Sequence, residues 1–234
     1  MNREVAGLSL AWKLAAELAV IVAGVLIALG ADSWWEQREE HRRAEQYLEQ
    51  LLVDFKSTER QIQSTIAEDE KTSAAASRVI DGAYHGRYPP TDSLELPTGY
   101  QQFRPLTGTL TALVQGGDLR LLESDTLRFE LVAYSATVDE VETVLRHTEA
   151  MIWNSTEHVI GGRVRHSRSA LRSATSGGSG WGQVDVAGAL NDPEVISALQ
   201  VQAVASRIRL FNLRHLEKPT SRLIGLIQAE LGDR

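Results

Sequence analysis

The sequence predicts an all-α protein: one N-terminal transmembrane helix continuing into an antiparallel bundle of three long helices and one short helix. The first indication is an apolar run over residues 14–33, and the second is the three- and four-residue spacing of apolar side chains beyond it. The third is that all six prolines fall in a few places, which suits long helices. We expect a short segment over 1–13, the membrane helix over 14–33, and a bundle over 34–234 with loops near 86–105 and 161–183.

The apolar run has the properties of a membrane anchor. From Leu14 to Ala31 it contains a single charge, Glu17, and the run is bracketed by Trp12 on one side and by Trp34 and Trp35 on the other. Along a helix the brackets lie about 33 Å apart, close to the thickness of a hydrocarbon core, and tryptophan prefers the headgroup level. A buried core helix and a cleaved signal peptide are the alternatives. The anchor is favoured because the helical pattern continues unbroken into the charged stretch that follows.

Two features of this helix suggest contacts within the membrane. Glu17 sits near the edge of the core, where it can snorkel or pair with Lys13, mark an ion path, or contact a partner helix. Small residues recur along the helix at spacings that let another helix approach closely. These candidate packing positions are Ala16, Ala19, Ala23, Gly24 and Ala28.

Beyond the membrane, the first helix is predicted to continue to about Gly82 and a short helix to occupy 107–115, stopped by Gly116 and Gly117. A third helix is predicted over 125–159, with coiled-coil-like spacing of its apolar residues. The residues expected to be buried in the first and third helices are Tyr47, Leu48, Leu51, Leu52, Phe55, Ile62, Ile66, Leu127, Leu131, Tyr134, Val138, Val141, Leu145 and Ile152.

The last helix is predicted to begin at Asn191–Asp192–Pro193, where a capping side chain precedes a proline, and to run to about Leu231. A bend or break is expected at Pro219, because proline lacks the backbone N–H that continues a helix. The buried side of this helix is predicted to consist of Ile196, Leu199, Val204, Ile208, Phe211 and Ile224.

The sequence points away from enzymes and cofactor-binding proteins. The net charge of −7 argues against nucleic-acid binding, and the absence of cysteine excludes thiolate chemistry and disulfides. No phosphate loop, dinucleotide fingerprint, zinc-protease motif or nucleophile elbow is present. The acidic run 68–70 is interpreted as a solvated helix face rather than a metal site. We therefore expect no catalytic residue, no metal and no cofactor.

One loop combines positive charge with an aromatic residue. The stretch from 163 to 172 is basic and contains no acids, and Trp181 follows it in a glycine-rich tract. Such a stretch can dock on an acidic partner or on anionic headgroups, although a solvated loop is an equal alternative. The predicted docking residues are Arg163, Arg165, Arg168, Arg172 and Trp181.

Two blocks of the chain resemble a family of uncharacterised bacterial single-pass membrane proteins. The first block is the run from Glu17 to Leu29, then Trp34–Trp35–Glu36, then the charged helix from Glu45 to Asp54; the second extends from Leu113 to Arg128. The resemblance implies an acid-tipped membrane helix, a helical domain and a cytoplasmic N-terminus, and it implies no activity. It therefore places the chain in a bacterial inner membrane with its bundle in the periplasm.

The predicted function is that of a non-enzymatic, membrane-anchored scaffold or accessory subunit. Its expected partners are the lipid bilayer and other membrane protein subunits, possible host assemblies being photosynthetic or respiratory complexes, and a homo-oligomer is a further option. The alternative hypothesis is a membrane-anchored sensor, whose bundle binds a small ligand and transmits the signal through the long first helix.

Overall fold

A computed structural model describes residues 4–86, 100–155 and 192–232, with side chains from Glu17 onward except that of Ala19. Four α-helices account for most of these residues: α1 (Glu4–His85), α2 (Gly108–Gln115), α3 (Asp125–Ser155) and α4 (Pro193–Gly232). A 3-10 turn at Asp118–Leu121 follows α2. The all-α prediction is confirmed, and within the described ranges no strand is present.

Each long helix of the bundle buries one seam of side chains at alternating steps of four and three residues, as in a coiled coil. In α1 the seam begins at Ala44 and ends at Val79; in α3 it runs from Leu127 to Ser155, and in α4 from Val195 to Glu230. The apolar core is concentrated in the half of the bundle nearer to the N-terminal end of α1. It includes Leu48, Leu51, Phe55, Ile62, Leu127, Leu131, Leu213, Leu216, Leu223 and Ile227.

Cross-helix contacts establish the directions of the helices. Ser221 of α4 reaches Glu59 of α1, whereas Gln200 reaches Tyr84, so α4 runs antiparallel to α1. Tyr134 of α3 contacts Thr220, and Glu149, further along α3, contacts Arg209, so α4 is antiparallel to α3 as well. Helices α1 and α3 are therefore parallel to each other.

The segment 100–124 completes the bundle by returning along α1. The backbone N–H of Leu106 donates to the Thr58 hydroxyl at 3.1 Å, and nearer the N-terminal end of α1 the Tyr47 hydroxyl donates to Asp118 at 2.8 Å. Consecutive members of the bundle are thus antiparallel, as predicted. The second member consists of an irregular segment over 100–107, the short helix α2 and the 3-10 turn. Of these, only α2 was predicted from the sequence pattern.

Side-chain caps fix the ends of two helices. The Ser124 hydroxyl accepts the N–H of Leu127 at 3.1 Å at the start of α3, and the Asp192 carboxylate accepts the N–H of Glu194 at 2.9 Å at the start of α4. The start of α4 at a capping side chain before Pro193 was predicted. The Glu230 carboxylate, near the end of α4, accepts the N–H of Glu123 at 2.7 Å and so ties α4 to the beginning of α3.

Helix α4 corrects two predictions. It continues through Pro219 without a break, because the seam residues Leu216 and Thr220 are buried on both sides of the proline and hold the helix in place. Val204, Ile208 and Phe211 were predicted to be buried and are exposed instead. They lie on the outer face of α4 because its seam passes through Gln202, Ser206 and Arg209.

A pair of leucine and phenylalanine variants tests this assignment of the α4 seam. Leu213→Ala is expected to lower the free energy of unfolding by about 2–5 kcal/mol, since it leaves a cavity at a fully buried position. Phe211→Ala, two residues away and 74% exposed, is expected to change it by less than about 0.5 kcal/mol. Chemical denaturation of the full-length protein in detergent measures both. A larger loss for Phe211→Ala than for Leu213→Ala would contradict the seam.

Candidate functional site

The N-terminal part of α1 exposes an unbroken apolar surface. Residues 20–22 and 25–27 are consecutive large apolar side chains, and successive residues of a helix point about 100° apart, so the surface surrounds the helix. We call this section the apolar collar. Its members, each between 47% and 73% exposed, are Leu18, Val20, Ile21, Val22, Val25, Leu26, Ile27 and Leu29.

An aromatic pair follows the collar. The rings of Trp34 and Trp35 meet edge to face with their centroids 5.6 Å apart, and both are more than half exposed. The guanidinium of Arg38, one turn further on, lies over the Trp34 ring at 5.6 Å. Two indoles and one cation thus form an amphipathic section of α1 between the collar and Ala44, the first buried seam residue.

The predicted membrane-contact residues lie on the surface of α1 wherever they are described. Glu17, Ala23, Gly24 and Ala28 are exposed, and a Cβ built on Gly24 would meet no atom within 4 Å. The side chains of Trp12, Ala16 and Ala19 lie outside the described set, as do the predicted docking residues Arg163, Arg165, Arg168, Arg172 and Trp181.

Within the residues and side chains that are described, no helix is long and apolar enough to cross a membrane. The spanning helix over 14–33 stays a prediction.

A buried charge cluster lies in the other half of the bundle, and its centre is Arg209. This side chain has no solvent exposure. Its Nε atom donates to Asp69 of α1 at 2.9 Å, one terminal nitrogen donates to Glu149 of α3 at 3.4 Å, and the other donates to the carbonyl oxygen of Gln101 at 2.6 Å. The Tyr100 ring lies 5.5 Å from the guanidinium carbon. One side chain thus joins α4 to three other segments of the chain.

The cluster contains two carboxylates and one cation, so its charge balance depends on protonation. Burial raises the pKa of Asp69 to about 6, opposed by its charge attraction and hydrogen bond to Arg209, while Glu68 and Glu149 raise it further. Asp69 is 1% exposed. Arginine keeps its charge at all pH values at which proteins fold, so Asp69 is the member of the pair that titrates.

Asp69 overturns one interpretation made from the sequence. The run 68–70 was interpreted as a solvated face, yet only Glu68 and Glu70 are exposed. Asp69 occupies the α1 seam position that follows Ile62 and Thr65, and extension of that apolar stripe by one step of four residues would have identified it. No comparable pattern indicated that Arg209 is buried, because the neighbouring Ile208 and Leu210 are apolar and are better candidates for burial.

The arrangement offers charge pairing and hydrogen bonding rather than a reaction centre. No group of three or more residues capable of holding a metal ion is found in the ranges 4–86, 100–155 and 192–232. The carboxylates of Asp69 and Glu149 are both paired with Arg209, which also donates to the backbone carbonyl of Gln101. The cluster therefore ties the helices to one another, and the apolar collar is a surface available for contact with other molecules.

Two arginine variants test the buried tie against an exposed pair. Arg209→Leu is expected to cost about 3–5 kcal/mol of unfolding free energy, because Asp69 and Glu149 would be left without their cation. Arg214→Leu removes an ion pair with Glu70 that is exposed at both ends, and it should cost less than about 1 kcal/mol. Denaturant titration of both proteins in detergent gives the comparison, and equal losses would contradict the tie.

The raised pKa of Asp69 predicts the sign of a pH effect. Between its ordinary value of 3.8 and about 6 the folded state holds this proton more tightly than the unfolded chain does. The contribution of Asp69 to stability is therefore full below about pH 4 and is lost as the pH rises through 6. The unfolding free energy of the wild type minus that of Asp69→Asn should fall between pH 4 and pH 7. An increase in this difference between pH 4 and pH 7 would contradict the raised pKa of Asp69.

Comparison with known proteins gave no match: no family model, no curated protein and no solved structure is similar to this chain.

Proposed function

We propose that the chain is a membrane-anchored scaffold or accessory subunit, held in the bilayer by the apolar collar of α1 and acting through contacts rather than chemistry. The observation that carries the proposal is the exposure of eight large apolar side chains around the whole circumference of one helix. Transfer of each such side chain from water to an apolar medium is favourable by about 1.5–3 kcal/mol. A helix that is apolar on all sides fits surroundings that are apolar on all sides.

The flanking residues support the same placement. Trp34 and Trp35 have the amphipathic character of side chains that settle at the headgroup level, and a stretch dense in charged residues, from Glu36 onward, follows them directly. The collar lies within the predicted spanning helix over 14–33. The resemblance to bacterial single-pass proteins favours an inner-membrane location with the bundle in the periplasm.

Contacts with other subunits are proposed at two places. Small residues at Ala23, Gly24 and Ala28 allow close approach of a second membrane helix. The basic stretch that includes Arg165, followed by Trp181, is the proposed grip on a soluble surface of the same assembly. Photosynthetic and respiratory complexes are the host assemblies that we favour, because they recruit single-helix subunits.

A second candidate function is favoured by one observation, the continuity of α1. A single helix of 82 residues connects the collar to the bundle, which is what a sensor would need to pass a ligand-induced strain to the membrane. A small molecule that raises the melting temperature of the purified bundle-bearing protein would favour this function over the scaffold.

Fractionation of cells that express the full chain tests the anchor. We expect wild-type protein to remain in membranes washed with alkaline carbonate. The double substitution Ile21→Arg and Leu26→Arg should release the protein, because each arginine costs about 2.5–3.5 kcal/mol at the centre of a spanning helix. The matched control is Phe129→Arg, an equally exposed apolar residue of α3 outside the collar, which should stay in the membrane.

The same membranes, solubilised in mild detergent, test the scaffold. The wild type should migrate as part of a larger assembly, and Gly24→Leu, which adds bulk where a neighbouring helix is proposed to pack, should reduce the assembly's size without releasing the chain from the membrane. A wild-type protein that migrates alone, unchanged by Trp181→Ala and Arg165→Glu, would refute the scaffold. Wild-type protein that is soluble without detergent would refute the anchor.

A further inference from the structure

Beyond the tie at Arg209, the core contains polar side chains that lack protein partners. Gln202 and Ser206 of α4 are completely buried, and neither the amide nitrogen and oxygen of Gln202 nor the hydroxyl oxygen of Ser206 has a hydrogen-bond partner within the described residues. A buried polar atom without a partner costs about 1–3 kcal/mol. Three such atoms in two consecutive seam positions are therefore an arrangement that calls for a partner beyond the described side chains.

The regular seams identify which residues surround Ser206. Asp69 of α1 is bonded to Arg209, and the next seam positions along these antiparallel helices are Thr72 and Ser206. Tyr134 of α3 is bonded to Thr220 at 3.0 Å, and two heptads further along the same pair of helices the opposed residues are Thr148 and Ser206. Thr72, Thr148 and Ser206 consequently form one layer of the bundle, which we call the hydroxyl layer.

The hydroxyl layer is both small and polar. Its three side chains are buried and smaller than the Ile62, Val141 and Leu213 that fill the seams nearer to the collar. The Thr148 hydroxyl donates to the carbonyl oxygen of Leu145 at 2.8 Å and keeps its capacity to accept. On one side of the layer lies Gln202 and on the other lies the Arg209 cluster, whose cation is already paired with two carboxylates.

We propose that the hydroxyl layer and Gln202 form an internal binding site for water. The occupant is neutral because the cation beside the layer, Arg209, is already paired with two carboxylates, and it both donates and accepts because the Gln202 amide and the hydroxyls do both. It is small because the layer lies within a seam whose spacing continues without interruption on both sides. An internal water makes about three hydrogen bonds, so about one or two molecules meet the needs of Gln202 and Ser206.

Water contact with the Gln202 side chain tests the site directly. In full-length protein in detergent, labelled with ¹⁵N at glutamine, the side-chain amide protons of Gln202 should show a cross-relaxation peak to long-lived water. The Gln202→Leu protein identifies the signal by its loss. In Ser206→Leu the larger side chain fills the layer, and the water peak should disappear while the Gln202 signal remains.

Thr58→Val is the matched control. Thr58 is another buried threonine of the α1 seam, but its hydroxyl accepts the Leu106 N–H, two heptads away from the layer. The water peak should persist in this variant. No water peak in the wild type, or a peak that persists in Ser206→Leu, would overturn the site.

Ser206→Ala gives a second readout should the leucine variant fail to fold. If the hydroxyl is bonded to internal water, its removal lowers the denaturation midpoint. If the hydroxyl has no partner at all, its removal raises the midpoint or leaves it unchanged, and the proposal fails.

Discussion

The pairing of Arg209 with Asp69 and Glu149 is the constraint on which the arrangement of the bundle depends. Regular seams repeat every seven residues, so their apolar layers fit nearly as well after a slip of one heptad. A slip of α4 by seven residues would place Arg209 beside Ile62 or Ala76 of α1 instead of Asp69, and the buried carboxylate of Asp69 would lose its cation. An unpaired buried charge costs several kcal/mol. The ion pair therefore selects one register among several that the apolar residues alone would allow.

The two halves of the bundle differ in the polarity of their buried side chains. The half nearer to the collar contains the leucine, phenylalanine and isoleucine layers and supplies most of the apolar burial. The other half contains the Arg209 cluster, the hydroxyl layer and Gln202. Burial of polar groups adds little to the free energy of unfolding even when all of them are hydrogen-bonded. This half therefore determines which residues pair and adds less to stability. Local opening of the bundle is expected to begin there.

Most of the fold could be predicted from the sequence, because its signals are local. The spacing of Leu127 to Ile152 revealed the α3 seam, and the residues around Pro193 revealed the start of α4. The seam of α4 could not be found in the same way. Val204, Ile208 and Phe211 form a regular apolar stripe, and only the facing carboxylates of Asp69 and Glu149, distant in sequence, explain why Arg209 is buried in preference to them. The candidate sites differ in the same way. The apolar collar was evident from composition, whereas the hydroxyl layer depends on three helices meeting in one register.

The continuity of α1 has a steric consequence for any helix that packs against the collar. Gly30 and Ala23 precede Ala44 by two and three whole heptads, and a straight helix drifts by only about 20° per heptad. The two small residues therefore lie on the same half of α1 as the seam, directly beneath α3 and α4. A helix that packs against them must end before the bundle begins, since the overhanging bundle blocks its path. A neighbour that extends past the collar alongside the bundle has room only on the opposite half of α1.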